Sequence, residues 1–403
     1  MALDPEELKK RRELRQKRKS KKLSKRLIFL VAGLLVLGIS LFALIFGLRS
    51  CSRDKEPETV NTTVIHLAAV GDLNVTETVV ASGGLNYDYT NALMDVLPLL
   101  SSADVTAVNF EGNLYGEPYG VDRSAPASLM TALERAGVDL VQVANSYSIH
   151  HGMDGLSKTL DGVRLAGMEP LGAYASQREA KSKKGFTIQT VDGVKIAFVA
   201  FTKGMDGMAL PAGNEGCVNV LYSDYSTDYQ VVDTNGINTV LSAIEKEKPD
   251  ITVAFLHWGS EFNDTISPSQ EKICKLMQSG GVDVILGTHS HYVQKMELDP
   301  STGRFVAWSL GDFMGDAARA GSEYSIVLDL EITKNNDSGD TRVTGFSYTP
   351  IFTVNEEGKP LRVVRIHEAM TAYQQGYIDK VSEETYNAME YALTRIDARI
   401  KGK

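Results

Sequence analysis

Five of the seven histidines in this chain, His150, His151, His257, His289 and His291, fall just past short apolar runs of strand type. Imidazole is the commonest transition-metal ligand and exchanges protons near neutral pH. Asp72, Glu111 and Asn145 stand at matching places and would add oxygen donors. A mixed nitrogen and oxygen set suits zinc, manganese or iron and argues against calcium, which takes oxygen alone. His289 and His291 lie two positions apart. In extended backbone their side chains would leave on one side and share an ion. The expected centre holds one or two divalent ions.

The segments that must carry these residues repeat one arrangement. Residues 64–70 run into Gly71-Asp72, 105–108 into Asn109-Phe110-Glu111, and 138–144 into Asn145-Ser146-Tyr147. Residues 251–256 run into His257-Trp258-Gly259, and 282–286 into Gly287-Thr288-His289-Ser290-His291. Open α/β sheets build their sites just past the carboxyl ends of the strands. Taken singly, each residue has an ordinary reading. Asp72 could cap a helix, Asn109 and Glu111 could end a solvated strand, and His257 could bond a carbonyl in the core. Five equivalent junctions favour one shared pocket.

Between the junctions the pattern alternates. Residues 128–136, 152–167 and 268–280 show helical periodicity, the second through Leu156, Leu160, Val163 and Leu165. Residues 195–201 and 305–310 read as further buried strands, and 203–240, rich in Gly, Asn, Asp and Tyr, as an irregular excursion near the site. From Glu323 the pattern turns to strands at 324–332 and 343–354, and a helix at 383–400 closes the chain. Strands alternating with helices indicate an α/β class with much parallel pairing.

Charge is divided unevenly. Residues 9–26 hold twelve Lys or Arg and one acid, Glu13. Residues 27–48 then carry no charge over 22 positions, long enough to cross a hydrocarbon layer of about 30 Å. A cleaved signal peptide would have a shorter apolar region. The positive-inside rule then keeps segment 1–26 in the cytoplasm and puts the rest outside. This divides the chain into a basic segment 1–26, a single-pass anchor 27–48, a polar linker 49–62, a main domain 63–355 and a C-terminal helical extension 356–403. Of 42 basic and 51 acidic residues, 13 and 4 fall in the first 50 positions, which leaves 29 and 47 beyond them, a net charge of −18. Such a surface argues against nucleic acid as a partner. Three cysteines make no disulfide framework; Cys217 and Cys274 could pair only if the fold joins them.

Six motifs occur together in order. They are Gly71-Asp72, Asn109-Phe110-Glu111, Ala144-Asn145, His257-Trp258-Gly259-Ser260-Glu261-Phe262, Gly287-Thr288-His289-Ser290-His291-Tyr292-Val293-Gln294 and Ser309-Leu310-Gly311-Asp312-Phe313. Over about residues 64–317 the chain thereby resembles the CapA family of membrane-anchored proteins linked to poly-γ-glutamate capsule synthesis and export. The resemblance implies a calcineurin-like metallophosphoesterase fold, an αββα sandwich of two sheets flanked by helices. It implies metal ligation by Asp72, Glu111, His257, His289 and His291, and binding roles for Asn109, Asn145, Glu261, Gln294 and Asp312. The implied partners are an anionic polymer or other cell-surface substrate and membrane subunits of a polymer synthase.

The chain departs from the family where chemistry matters. The family's Ala-Asn-Asn-His, then two residues, then Asp, reads here Ala144-Asn145-Ser146-Tyr147-Ser148-Ile149-His150, with His150 in place of the Asp. Asp312 replaces the usual Asn of the last motif. A serine is a weaker neutral ligand than an amide oxygen. A tyrosine with a pKa near 10 is a poor general acid at neutral pH. Tyr147, His150 and His257 are the remaining candidates for proton transfer. Three readings follow: a polymer-assisting surface protein with a degenerate site, an active metal-dependent hydrolase, or a metal-free binding module. Lys203 and Arg319 are candidates for a cationic patch that would offset the acidic surface near the site.

Overall fold

The fold comes from a computed structural model that describes residues 61–377 and 381–402. The basic segment, the expected anchor at 27–48 and Cys51 lie outside the described residues. Among the described residues, no helix is long and apolar enough to cross a membrane.

Two sheets carry the chain. The first runs in the order β14 (Arg362–Arg365), β13 (Thr341–Val354), β12 (Tyr324–Asn335), β1 (Thr62–Asn74), β2 (Val105–Glu111), β3 (Leu140–Gln142), β4 (Glu169–Leu171), with β11 (Asp312–Met314) beside the end of β1. The second runs β5 (Phe186–Val191), β6 (Val194–Thr202), β7 (Ile251–His257), β8 (Val284–Thr288), β10 (Phe305–Ala307), β9 (Met296–Leu298). The stretches β1 to β4 and β6-β7-β8-β10 are parallel, while β12, β13 and β14 add antiparallel strands. Parallel neighbours need a crossover. Helices α1 (Glu77–Ala81), α2 (Thr90–Leu93) and α3 (Leu97–Leu100) join β1 to β2; α4 (Ala127–Ala136) and α5 (Gly152–Ala166) make the next two crossings. After α6 (Gln177–Lys183), helices α7 (Thr234–Glu247) and α8 (Pro268–Ser279) make those of the second sheet.

Side chains alternate between the faces of a strand, and β6 shows where each face goes. Ile196, Phe198 and Ala200 join Ile65, Leu67 and Ala69 of β1 in the core between the sheets. Ala197, Val199 and Phe201 pack instead under Ile237 and Leu241 of α7 and Ile273 and Met277 of α8. The layers are therefore sheet on sheet with helices outside, a mixed-sheet α/β fold as the alternation predicts.

Several boundaries differ from expectation. The strand expected over 305–310 stops at Ala307, although Trp308 N–H still bonds Lys295 O and Leu310 N–H still bonds Gly287 O on the neighbouring segments. The irregular stretch after 203 ends when α7 starts at Thr234. Residues 356–403 are not purely helical: β14 pairs with β13 before α9 (Ile366–Gln374) and α10 (Glu383–Ile400) follow. Met389, Ala392 and Ile396 of α10 are buried in the main core. Cys217 and Cys274 are buried and free.

Candidate metal centre

The tips of β1, β2, β7 and β8 meet the start of β11, and this brings together six side chains of metal-ligating type. Glu111, His257 and His289 form one triad and Asp72, His291 and Asp312 another, the ligand atoms of each lying within 4.8 Å of one another. Sheet register supplies the first step, since Asp72 pairs with Asn109 on one side and Asp312 on the other. Glycine supplies the second. A Cβ on Gly71 would stand 1.7 Å from Gly311 O, so only two bare backbones can approach here, and Asp72 N–H donates to that same oxygen at 3.0 Å.

The two histidines of the 289–291 turn do not share one side of an extended backbone. Both have left-handed dihedrals, φ 86° at His289 and 59° at His291, so the chain twists between them. Their ring centres are 6.3 Å apart and they enter different triads. A left-handed non-glycine residue costs free energy and persists where its surroundings over-determine it. Here Asp72 Oδ2 accepts from His289 N–H at 3.0 Å and Asp312 holds His291 Nδ1 at 2.7 Å.

Asn109 ties the centre together, its Nδ2 donating to Asp72 Oδ1 at 2.7 Å and standing 3.4 Å from Glu111 and from His257. Asn145, read as an oxygen donor, holds the scaffold instead. Its Nδ2 donates to Asn109 Oδ1 (3.0 Å) and Phe110 O (2.7 Å), and its Oδ1 accepts from Tyr147 N–H (3.0 Å). Ser146 Oγ stands 3.1 Å from His257 Nε2, whose Nδ1 meets Thr288 Oγ1 at 3.1 Å. Tyr147 follows Ser146 in the chain, and its hydroxyl accepts a hydrogen bond from Arg123 Nη2 at 2.8 Å.

Other candidates stand at the rim or away from it. Glu261 is 3.9 Å from His291 Nε2 and half exposed. Gln294 is buried and reaches the loop behind, donating to Asn263 O at 2.8 Å, so it positions backbone. His150 packs edge-on against Tyr147 with ring centres 5.7 Å apart and joins neither triad. Of the suggested cations, Lys203 donates to Gly259 O at 2.9 Å and Arg319 covers the ring of Phe262. Phe262 in turn stacks on His291 at 4.9 Å. Arg123 and Asn74 escaped the sequence reading. Asn74 Nδ2 donates to Asp312 Oδ1 at 3.0 Å, and its place two residues beyond Asp72 on the same strand face was the available signal.

Burial governs the electrostatics. It raises the Asp72 carboxyl to about 7, against the pull of His291, and lifts Glu111 well above the usual carboxylate range with help from Asp72. Burial, then neighbouring imidazoles, drives His257 far down; burial and Lys203 bring His289 to about 3. His291 goes the other way. Burial opposes its charge, yet Asp312 beside it pushes it up to about 12. Burial disfavours charge on the carboxyls and holds His257 and His289 neutral, and a bound cation would favour the carboxylates and use the free imidazole lone pairs. Two ligands of one transition ion at about 2.1 Å stand about 3.4 Å apart in a tetrahedron. Glu111 and His257 are 3.3 Å apart and His291 and Asp72 3.8 Å, both near that spacing, while the 2.7 Å contact of His291 with Asp312 is a hydrogen bond. The residues fit a nitrogen and oxygen transition-metal site.

Comparisons with known proteins agree with the motifs. The family model described as Bacterial capsule synthesis protein PGA_cap matches residues 66–317, which include all six triad residues. "PGA biosynthesis protein CapA" of Bacillus subtilis (strain 168) is 25% identical over 326 residues, covering 77% of this chain and 78% of that protein. "Capsule biosynthesis protein CapA" of Bacillus anthracis is 23% identical over 295 residues, covering 70% of this chain; the chain spans 65% of that relative's length. Among solved structures, calcineurin-like phosphoesterase YfkN from Bacillus subtilis is similar with a TM-score of 0.46 at 14% identity, covering 82% of this chain and 99% of that one. On the match across 66–317, the chain belongs to the bacterial capsule synthesis family that includes CapA.

Proposed function

We propose that this protein is a membrane-anchored, extracytoplasmic component that assists the synthesis, export or anchoring of an anionic capsular polymer such as poly-γ-glutamate. The names of its relatives support the polymer, and the basic run followed by 22 uncharged residues supports the anchor. The observation that carries an assisting role over a cleaving one is at position 147. Hydrolysis of a phosphoester at a metal pair needs a proton donor for the leaving group. Tyr147 is a weak acid whose burial raises it further, and its hydroxyl is engaged by Arg123.

A bound divalent ion would supply Lewis acidity and charge for holding an anion. Glu111, His257 and His289 would hold one ion, and Asp72, His291 and Asp312 a second. Thr288 at Nδ1 would orient His257, Ser146 stands beside the Nε2 that would face the ion, and Asn109 and Asn145 fix the carboxylates. The retained triads also favour a second reading, a metal-dependent surface hydrolase. Its expected signature is turnover of a generic phosphodiester by the purified protein with Mn²⁺ or Zn²⁺.

One pair of substitutions separates the readings. Ser146→Asn with Tyr147→His restores the family's residues, and phosphodiester turnover in the double variant is expected to rise at least about tenfold over a near-zero wild type. Equal turnover in the two proteins would remove the proton-donor account. For the polymer role, a strain lacking the gene should lose surface polymer and regain it with the full chain. A deletion strain with undiminished polymer would end that reading.

A further inference from the structure

Arg123 sits on the loop between β2 and α4, in left-handed conformation with φ 60°. Its carbonyl accepts from Asn113 N–H at 2.9 Å, which holds the loop in place. The side chain is half-buried, donates to Val75 O at 3.4 Å, and lies 4.4 Å from the ring centre of Tyr147. Its positive charge acts on the Glu111 and Asp312 carboxyls, one from each triad, and favours their charged forms. Tyr147 is fixed at its other end by Asn145.

Hydrogen bonding at the phenol has a direction. Arginine has donors only, so Arg123 Nη2 must occupy a lone pair of the Tyr147 oxygen. The phenol proton is left to point elsewhere, and among the described residues no acceptor takes it. Arg123 keeps further N–H groups beyond its two contacts. A fixed hydroxyl and a planar guanidinium side by side make an arrangement suited to an oxyanion.

We propose that Arg123 and Tyr147 form an oxyanion-holding pair at the rim of the metal centre, which grips a carboxylate or phosphate oxygen of the bound chain and orients it without giving up a proton. The proposal rests on the polymer-handling reading of the same site and adds the residues that replace the lost imidazole. The rim continues outward as rings: His150 packs on Tyr147, His151 packs on His150 at 5.3 Å, and Tyr115 stacks on His151 at 4.4 Å. A chain held at its anion by the pair would run along these faces.

Calorimetric titration of the full-length protein, loaded with Mn²⁺, tests this with two probes, glutarate for a carboxylate and inorganic phosphate. Arg123→Gln is expected to weaken the preferred probe about tenfold or more, Tyr147→Phe about threefold or more, and Arg123→Lys to fall between wild type and Arg123→Gln. Manganese content should stay unchanged in all three. Preference for either probe supports the pair and tells which oxyanion it takes. Wild-type affinity in every variant, or weakening only in step with lost manganese, overturns it, as does a wild type that binds neither probe at millimolar concentration. Should Arg123→Gln fail to fold, the lysine and phenylalanine variants carry the test. Polymer yield in cells is read separately, so a failed pair with intact polymer loss on gene deletion sinks this assignment alone.

Discussion

His291 lies between two carboxylates, Asp312 at 2.7 Å and Asp72 at 3.8 Å, and without a metal that setting makes it a cation. Its folded pKa of about 12 stands far above the ordinary 6.5, so the ring is protonated throughout the neutral range. A metal ion needs the free nitrogen lone pair, and the proton must leave. Uptake of Zn²⁺ or Mn²⁺ at pH 7 is therefore expected to release about one proton from this residue, and affinity to fall as pH falls. Calorimetry in two buffers of different ionisation heat reads the release directly. Binding heats that do not depend on the buffer would refute it. Much of this residue-scale chemistry was legible in the sequence, because ligand types announce themselves. What the sequence hid was the pairing. Spacing placed His289 and His291 on one ion, whereas left-handed backbone at both, set by contacts from Asp72 and Asp312, sends them to different triads. Arg123 was hidden too, since a lone arginine in a loop carries no periodic or motif signal.

The elements around the centre are held by a helix far along the chain. Arg399 of α10 is buried, with its guanidinium 4.3 Å from the ring centre of Tyr292 and 5.5 Å from that of Tyr324. It donates to Gly321 O at 3.4 Å and stands at ion-pair distance, 3.4 Å, from Asp264. One side chain thus spans the loop that carries Glu261 and Phe262 and the loop that carries Arg319. Tyr292 OH donates to Ala320 O at 3.0 Å, and Phe262 N–H to Ser290 O at 2.8 Å, closing the same cluster. Arg399→Ala should lower stability by about 2 kcal/mol through loss of buried cation–aromatic contacts. It should also speed amide exchange at 259–264 and 319–322. Unfolding in urea measures the first and exchange mass spectrometry the second; unchanged exchange in both loops would show that α10 does not steady them. Lysine would not substitute, because it lacks the planar fork that stacks and spans. A closing helix near residues 383–400 is what the sequence leads one to expect, and α10 occupies Glu383–Ile400. Its duty toward the site was not legible there, since that depends on tertiary contacts alone.

At the scale of the molecule, the C-terminal residues are built into the fold, and Glu356 is one of the joints. The parallel sheets were legible from alternation, but β14 spans only Arg362–Arg365, too short for a pattern to register. Glu356 Oε1 accepts from Ser382 N–H and from Thr385 Oγ1, both at 2.7 Å, and Oε2 accepts from Lys359 Nζ at 2.7 Å. The carboxylate thereby fastens the start of α10 to the turn after β13. Burial works against its charge, but the Lys359 bond and those from Ser382 and Thr385 outweigh it and bring the pKa down to about 2 from 4.5. A carboxylate depressed in the folded state stabilises above its unfolded pKa, and that contribution drains away as pH falls. The window here runs from about 4.5 down to about 2. Glu356→Gln keeps the shape and removes the charge, so at pH 7 it should cost about 1–2 kcal/mol. The gap between variant and wild type should narrow below pH 4.5 and close near pH 2. Urea midpoints taken across that range decide the matter. A gap that stays constant with pH would mean that the charge of Glu356 does not fasten α10.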